Sequence, residues 1–253
     1  MASKFEFQKM FSTNAVHVTA RLTPFGEKCF PRLASFLKDN HDGLIGICRL
    51  MVVNKDDLND PKSEWYKWIQ MYGLRNDVTI LHLSSLYNFA SFRWIKMNAT
   101  GGLGRFKDEV GDCKGLGTLL FSFALTALVY DGMCGVDAHV FVEMSGAKAT
   151  SHEIRKMKKK LETDNEFRGK MIRYVRKERH MPEESTDNDS LEYYAANWEQ
   201  HRNLEKYYKK TFGFSILEKK FIYTLGSANV ITLLSRMNRQ VYKLLIYYSS
   251  FHL

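Results

Sequence analysis

The chain has 253 residues, 45% of them hydrophobic, with only four prolines. That is enough apolar material for the core of one large domain or two small ones, and it excludes a disordered, low-complexity protein. A net charge of +9 points to anionic ligands: cofactor phosphates, nucleic acid or an acidic partner. The first ten residues carry Lys4, Glu6 and Lys9 without an apolar core, and no run of eighteen apolar residues follows, so neither a leader nor a membrane span is expected. Cys29, Cys48, Cys113 and Cys134 lie at no zinc or redox spacing, which predicts reduced thiols, no metal site, and a cytoplasmic or nuclear protein.

In chain order, Ala15–Leu22 alternates and is rich in β-branched residues, which predicts an opening strand. Thr23 then caps a helix to about Lys38, with Pro31 counting against its continuity. Leu44–Val53 reads as a strand, Lys55–Lys62 as a polar loop and Ser63–Met71 as a short helix. Val78–Leu83 and Phe89–Met97 read as a hairpin, and Asn98–Lys114 as a charged, glycine-rich connection. A helix over Gly117–Tyr130 and a strand over Val136–Glu143 follow. Lys156–Lys177 is a basic helical stretch, and Leu191–Lys210 a further helix stopped by Gly213. Phe214–Leu217 and Lys220–Thr224 are two short closing strands, and the apolar spacing from Val230 to Tyr248 gives a terminal amphipathic helix.

The stretch Gly111-Asp112-Cys113-Lys114-Gly115-Leu116-Gly117-Thr118 is the chemically pointed one. A glycine turn opening an apolar helix leaves backbone N–H groups without intrahelical acceptors, and with the positive end of the helix dipole they form a site for phosphate. A nucleotide P-loop would need a Gly-Lys-Ser/Thr, which is missing, since Gly117 is followed by Thr118. A dinucleotide fingerprint would need a third glycine where Leu120 stands, and Asp137, twenty residues after Gly117, sits at the start of its strand and not its end.

A third kind of phosphate turn fits better. Asp112-Cys113-Lys114-Gly115-Leu116-Gly117 opening a helix, a strand after that helix, and then Asn203…Tyr207-Tyr208…Gly213-Phe214 follow one another in the order of an acyl-CoA motif. In these elements the chain resembles the GNAT superfamily of N-acetyltransferases, whose signature is Gln/Arg-x-x-Gly-x-Gly/Ala followed by an Asn…Tyr…Gly-Phe element. The resemblance covers Lys114–Val142 and Asn203–Thr224. Two departures stand out: Asp112 occupies the first Gln/Arg position, and Tyr208 lies five residues before Gly213, one more than the commonest spacing, so Tyr207 is its substitute.

The resemblance implies an α/β fold: a single GNAT-like domain over residues 1–226 with a mixed, mostly antiparallel central sheet flanked by helices. Residues 147–196 would be a basic and acidic helical insertion, and residues 227–253 an extra C-terminal helix. It implies acetyl-CoA as cosubstrate, lying in a gap between two splayed strands, expected at Phe89–Met97 and Val136–Val142. Cys113, Lys114, Gly115, Leu116, Gly117 and Thr118 would hold the diphosphate, with Val140, Val142 and Asn203 along the pantetheine arm. The implied reaction is direct attack of a primary amine on the thioester, on a small molecule or a protein. Tyr208 is the candidate acid for the leaving thiolate, and Glu143, His139, His82 or a water relay the base. A nucleophilic Cys113 would need a paired histidine, and none is visible in the sequence.

From Ser151 to His180 there are eleven Lys/Arg against five Asp/Glu, and Glu183–Glu199 holds six acidic residues and no basic one. Such a run either solvates a helix face, pairs with the acids after it, or meets nucleic acid. Two further function classes therefore stay open: a member that binds CoA or a macromolecule without catalysis, and a basic nucleic-acid-binding protein. The C-terminal helix packs on the core or joins a dimer.

Overall fold

A computed structural model describes residues 3–75, 77–91, 106–111, 113–144, 149, 151–179, 188–219 and 224–239. The strands are β1 (Phe5–Ser12), β2 (Ala15–Leu22), β3 (Leu44–Val52), β4 (Ile80–Asn88), β5 (His139–Met144), β6 (Ser215–Lys219) and β7 (Thr224–Asn229). They form one mixed, mostly antiparallel sheet in the order β1-β2-β3-β4-β5-β7-β6, with helices in the connections, so the class is α/β as expected. Two compact units result: Met1–Val142 with Ala228–Leu253, and Glu143–Ser227.

In the first unit, β1 to β4 form an antiparallel meander and β5 joins β4 in parallel. Strand β1 is missing from the sequence reading: Phe5, Phe7 and Phe11 share one face, but Lys9 interrupts the row and, as an edge strand, it buries only Phe5. On β2 and β3 the alternation works as expected: Val16, Val18 and Ala20 face one side with Cys48 and Leu50, all buried. The single helix expected after Thr23 is two helices, α1 (Pro24–Cys29) and α2 (Pro31–His41). Pro31 has no N–H to continue the ladder, so it starts a new helix instead. The loop expected at Lys55–Lys62 contains a short helix, α3 (Lys55–Asn59), because the Asn54 side chain accepts from Asp56 N–H and caps it. Ser63 caps α4 (Glu64–Met71) in the same way.

The short loop expected between Val78–Leu83 and Phe89–Met97 is not formed, and a turn starts only at Phe89. Strand β4 runs unbroken through Ser84 and Ser85, and 92–97 lie outside the described residues. The polar pair reads as a turn in sequence but is held by β3 in the structure. After α5 (Lys107–Gly111) comes α6 (Leu116–Tyr130), which is apolar on nearly every side and packs on β2, β3 and β4. By length and hydropathy alone, Lys107–Tyr130 is a stretch able to cross a membrane. Within it, the α6 side chains from Leu116 to Leu128 are mostly buried against the sheet, as in a core helix. Residues 230–239 form α10, tied to the loop before β5 by Val230 N–H to Ala138 O (2.9 Å) and Ile231 N–H to Val136 O (3.2 Å).

In the second unit the basic stretch is two helices, α7 (Ser151–Thr163) and α8 (Asn165–Arg179), and α9 (Asn188–Thr211) follows. Asp164 separates the first two, its side chain accepting from Phe167 N–H at 2.8 Å. Met157, Leu161, Phe167, Met171, Val175, Leu191, Ala195 and Ala196 make a core of their own. Lys158 and Lys156 pair with Glu192 and Glu199 at 3.5 and 4.0 Å, so part of the basic run meets the acidic stretch that follows it.

Candidate functional site

The glycine turn folds back on itself. Cys113 N–H donates to Val110 O at 3.2 Å and Leu116 N–H to Cys113 O at 3.4 Å. Gly115, at φ 85° and ψ −2°, is the N-cap of α6, a left-handed conformation that suits glycine. The first intrahelical bond is Leu119 N–H to Gly115 O, at 3.1 Å. Among the described residues no protein acceptor meets the N–H groups of Gly117 or Thr118, and Gly115 has no side chain to cap them. Two donors at the positive end of a fifteen-residue helix are therefore left over. Leu116, Gly117 and Thr118 are buried and Lys114 is exposed. Gly117 needs neither its small size for packing nor its freedom for φ: a Cβ there would meet no described atom within 4 Å. Cys113 is buried, its thiol donating to Glu109 O at 3.5 Å, which is the setting of a structural thiol. Asp112 lies outside the described residues.

Packing fixes where this turn sits on the sheet. A Cβ at Gly46 of β3 would come within 2.6 Å of Leu120 Cδ1, 2.8 Å of Tyr87 O and 3.6 Å of Leu116 Cδ2. Leu116 and Leu120 of α6 thus pack on Gly46 of β3, the partner of Asn88 at the far end of β4. The parallel ladder between β4 and β5 runs from Ile80↔His139 to Leu83↔Val142, while β4 continues to Asn88. At that point β4 carries one extra residue: Leu83 pairs with Leu50 and Ser85 with Arg49, leaving Ser84 as a bulge whose hydroxyl donates to Arg49 O at 3.3 Å. A bulge bends its strand and raises the local twist. Beyond it, the ladder between β4 and β5 does not continue among the described residues. The strand that pairs with β5 is Ile80–Asn88, and 92–97 of the expected Phe89–Met97 lie outside the described residues. Val140 and Val142 are buried on its parallel partner.

In the second unit, Gly213 (φ 85°) ends α9, its N–H donating to Tyr208 O and Lys209 O, both at 3.1 Å. Tyr208 is 8% exposed, with its ring 5.4 Å from Phe212 and 5.6 Å from Phe214. Tyr207 is 42% exposed, and Asn203 and Glu143 are exposed.

The histidines named as candidate bases are both half-buried. Burial, with the nearby Arg49 charge, lowers the pKa of His82, and burial lowers that of His139 against the opposing pull of Asp137. Both are therefore neutral at pH 7 and able to accept a proton. Arg49 itself was not picked out from the sequence. Its signal was a lone charge inside the apolar run Leu44–Val53, and its neighbours come from β2 and β4, which no local spacing reveals. Comparison of the chain with protein-family models, curated proteins and solved structures finds no match.

Proposed function

We propose that the protein is an acetyl-CoA-dependent N-acyltransferase of the GNAT kind, moving an acetyl group to a primary amine. One observation carries this reading. The uncapped first turn of α6 packs by Leu116 and Leu120 on Gly46 of β3, the partner of Asn88 at the end of β4 past its ladder with β5. Amides for a diphosphate thereby lie near the end of the strand proposed to flank the pantetheine arm. The strand order with its parallel β4–β5 pair, and the helix–strand sequence around it, add support.

In the proposed reaction the amine nitrogen attacks the thioester carbon, the C–S bond breaks, and the leaving thiolate takes a proton. Tyr208 is the proposed acid, and Glu143, His82 or His139 the group that takes the ammonium proton, directly or through water. Gly117, Thr118 and Lys114 hold the diphosphate, and the β4 edge past Ser84 holds the arm. A second reading has its own observation: Tyr208 is packed among Phe212 and Phe214 as a core aromatic. In that reading the chain binds acyl-CoA and transfers nothing. Isothermal titration with acetyl-CoA tests the common part, and absence of binding removes both readings. Release of free thiol over a panel of amines separates them.

A further inference from the structure

Strand register places His17, Arg49 and Ser85 directly opposite one another on β2, β3 and β4, so the three share one face of the sheet. The adjoining row on that face is Met51, His82 and Phe141, walled by the edge of Trp65 from α4 at 5.1 Å from His82. Tyr87 and Phe89, stacked at 6.0 Å with His41 beyond Phe89 at 4.1 Å, lie further along β4. All four polar members, His17, Arg49, His82 and Ser85, are half-buried, so part of each side chain is open to solvent although Arg49 Nε is not.

The arrangement is chemically incomplete. Arg49 Nε is buried with no hydrogen-bond partner, and no ion pair to the guanidinium is found among the described residues. Half-buried guanidinium groups are normally met by a carboxylate, and a buried N–H left unmet is costly. The neighbours do not supply the missing charge: His17, His82 and Ser85 are donors or neutral, and Arg49 itself disfavours the charged form of His82. An oxyanion at the terminal N–H groups of Arg49 would supply the missing charge beside the enclosed Nε–H.

We infer that this row binds the anionic group, carboxylate or phosphate, of the acceptor molecule. The link to the acceptor rests on the acyltransferase reading; the anion site does not. Ser85, opposite Arg49, is the residue after the bulge at which β4 leaves β5. Arg49 lies on β3 and the proposed path of the pantetheine arm along the opposite edge of β4, so an anion on Arg49 sits about two strand spacings, roughly 10 Å, from that path. The acceptor is then an amine whose negative group lies several bonds from its nitrogen.

The first test is independent of catalysis. The Arg49 Nε–H resonance, assigned by its loss in Arg49→Lys, is followed by NMR while acetate or inorganic phosphate is added to the wild-type protein. A saturable shift with either anion is expected, and the one that binds more tightly identifies the group; no saturable shift with either overturns the inference. The second test measures thiol release from acetyl-CoA with matched pairs long enough to reach, 6-aminohexanoate against 6-aminohexanamide and 6-aminohexyl phosphate against 6-aminohexanol. Loss of a charge-assisted hydrogen bond corresponds to about tenfold or more in kcat/KM. The anionic member of at least one pair should lead by that factor, and Arg49→Gln, checked by its melting curve, should erase the lead. A preference for the neutral members, or one that survives in Arg49→Gln, overturns the link to the acceptor. Should the resonance shift while acetyl-CoA fails to bind, the acyltransferase reading falls and the anion site stands.

Discussion

Gly117→Ala separates a glycine kept for the fold from one kept for a ligand. The position is helical, its φ is not positive, and an added methyl meets no described atom within 4 Å. On the folded protein alone the substitution should help, because alanine in a helix is favoured over glycine by about 0.5–1 kcal/mol. In a chain of 253 residues that corresponds to a rise of about 1–4 °C in melting temperature. Ligand binding should move the other way. If the diphosphate rests against the Gly117 and Thr118 amides, a methyl at Gly117 stands in its approach. Losing one hydrogen bond to a charged group costs about 1.5–3 kcal/mol, or about ten- to a hundredfold in Kd for acetyl-CoA. The two assays are thermal unfolding without ligand and isothermal titration with it. A more stable variant with unchanged acetyl-CoA affinity would show that the ligand does not touch this turn, and the reading of the site would be wrong. A less stable variant would show that Gly117 is held by contacts that the open space around it does not suggest.

Other substitutions probe different links. Tyr208→Phe keeps the ring packing and removes only the hydroxyl, so turnover should fall by about a hundredfold, the low end for general acid catalysis, with acetyl-CoA affinity unchanged in titration; equal turnover removes Tyr208 from the mechanism. Arg49→Met keeps an unbranched stem and removes the unpaired donor, and it should raise the free energy of unfolding in urea by about 1 kcal/mol; a loss of similar size would make Arg49 a structural residue. For His82 the folded pKa lies below its unfolded value. Below the unfolded value, about 6.5, the unfolded chain binds a proton that the folded one refuses, so stability falls on acidification until the lower, folded pKa is passed. His82→Gln should flatten that fall in denaturant midpoints measured from pH 7 to pH 5, and an unchanged profile would show that another group causes it. Gly46→Ala drives a methyl against Tyr87 O and Leu120 and should lower the urea midpoint by the equivalent of about 1–3 kcal/mol; a neutral result would contradict the close approach of α6 to β3.

Features written into a few consecutive residues were legible in the sequence. The turn at Gly115, the helix after it and the cap at Gly213 are each specified by local chemistry, and each is found within a residue or two of its expected place. What failed was set by partners distant in the chain. The hairpin reading broke Val78–Met97 at its polar middle, whereas β3 holds Ser84 and Ser85 inside one strand by a bulge. Edge strand β1 carries Phe5, Phe7 and Phe11 on one face, but Lys9 interrupts the row and only Phe5 is buried. Arg49 became a candidate only once register put His17 and Ser85 opposite it and left its Nε without a partner.

That history bears on how the proposal should be tested. The residues proposed to grip acetyl-CoA, and the Arg49 row, all belong to the first unit, while Tyr208 belongs to the second. Substitutions in the first unit should therefore appear in equilibrium binding, and Tyr208→Phe only in turnover. Acetyl-CoA affinity lost by Gly117→Ala and kept by Tyr208→Phe is the pattern the proposal requires. The burial of Tyr208 among phenylalanines then becomes decisive. A phenol can protonate a thiolate only if its oxygen is reached by the leaving sulfur, and a side chain serving the core alone loses little function when the hydroxyl is removed. Full turnover in Tyr208→Phe with intact binding would move the search for the acid to Tyr207, the exposed neighbour, where Tyr207→Phe is the next measurement. If neither hydroxyl matters, protonation by water suffices, and the chemistry rests on the binding geometry of the first unit.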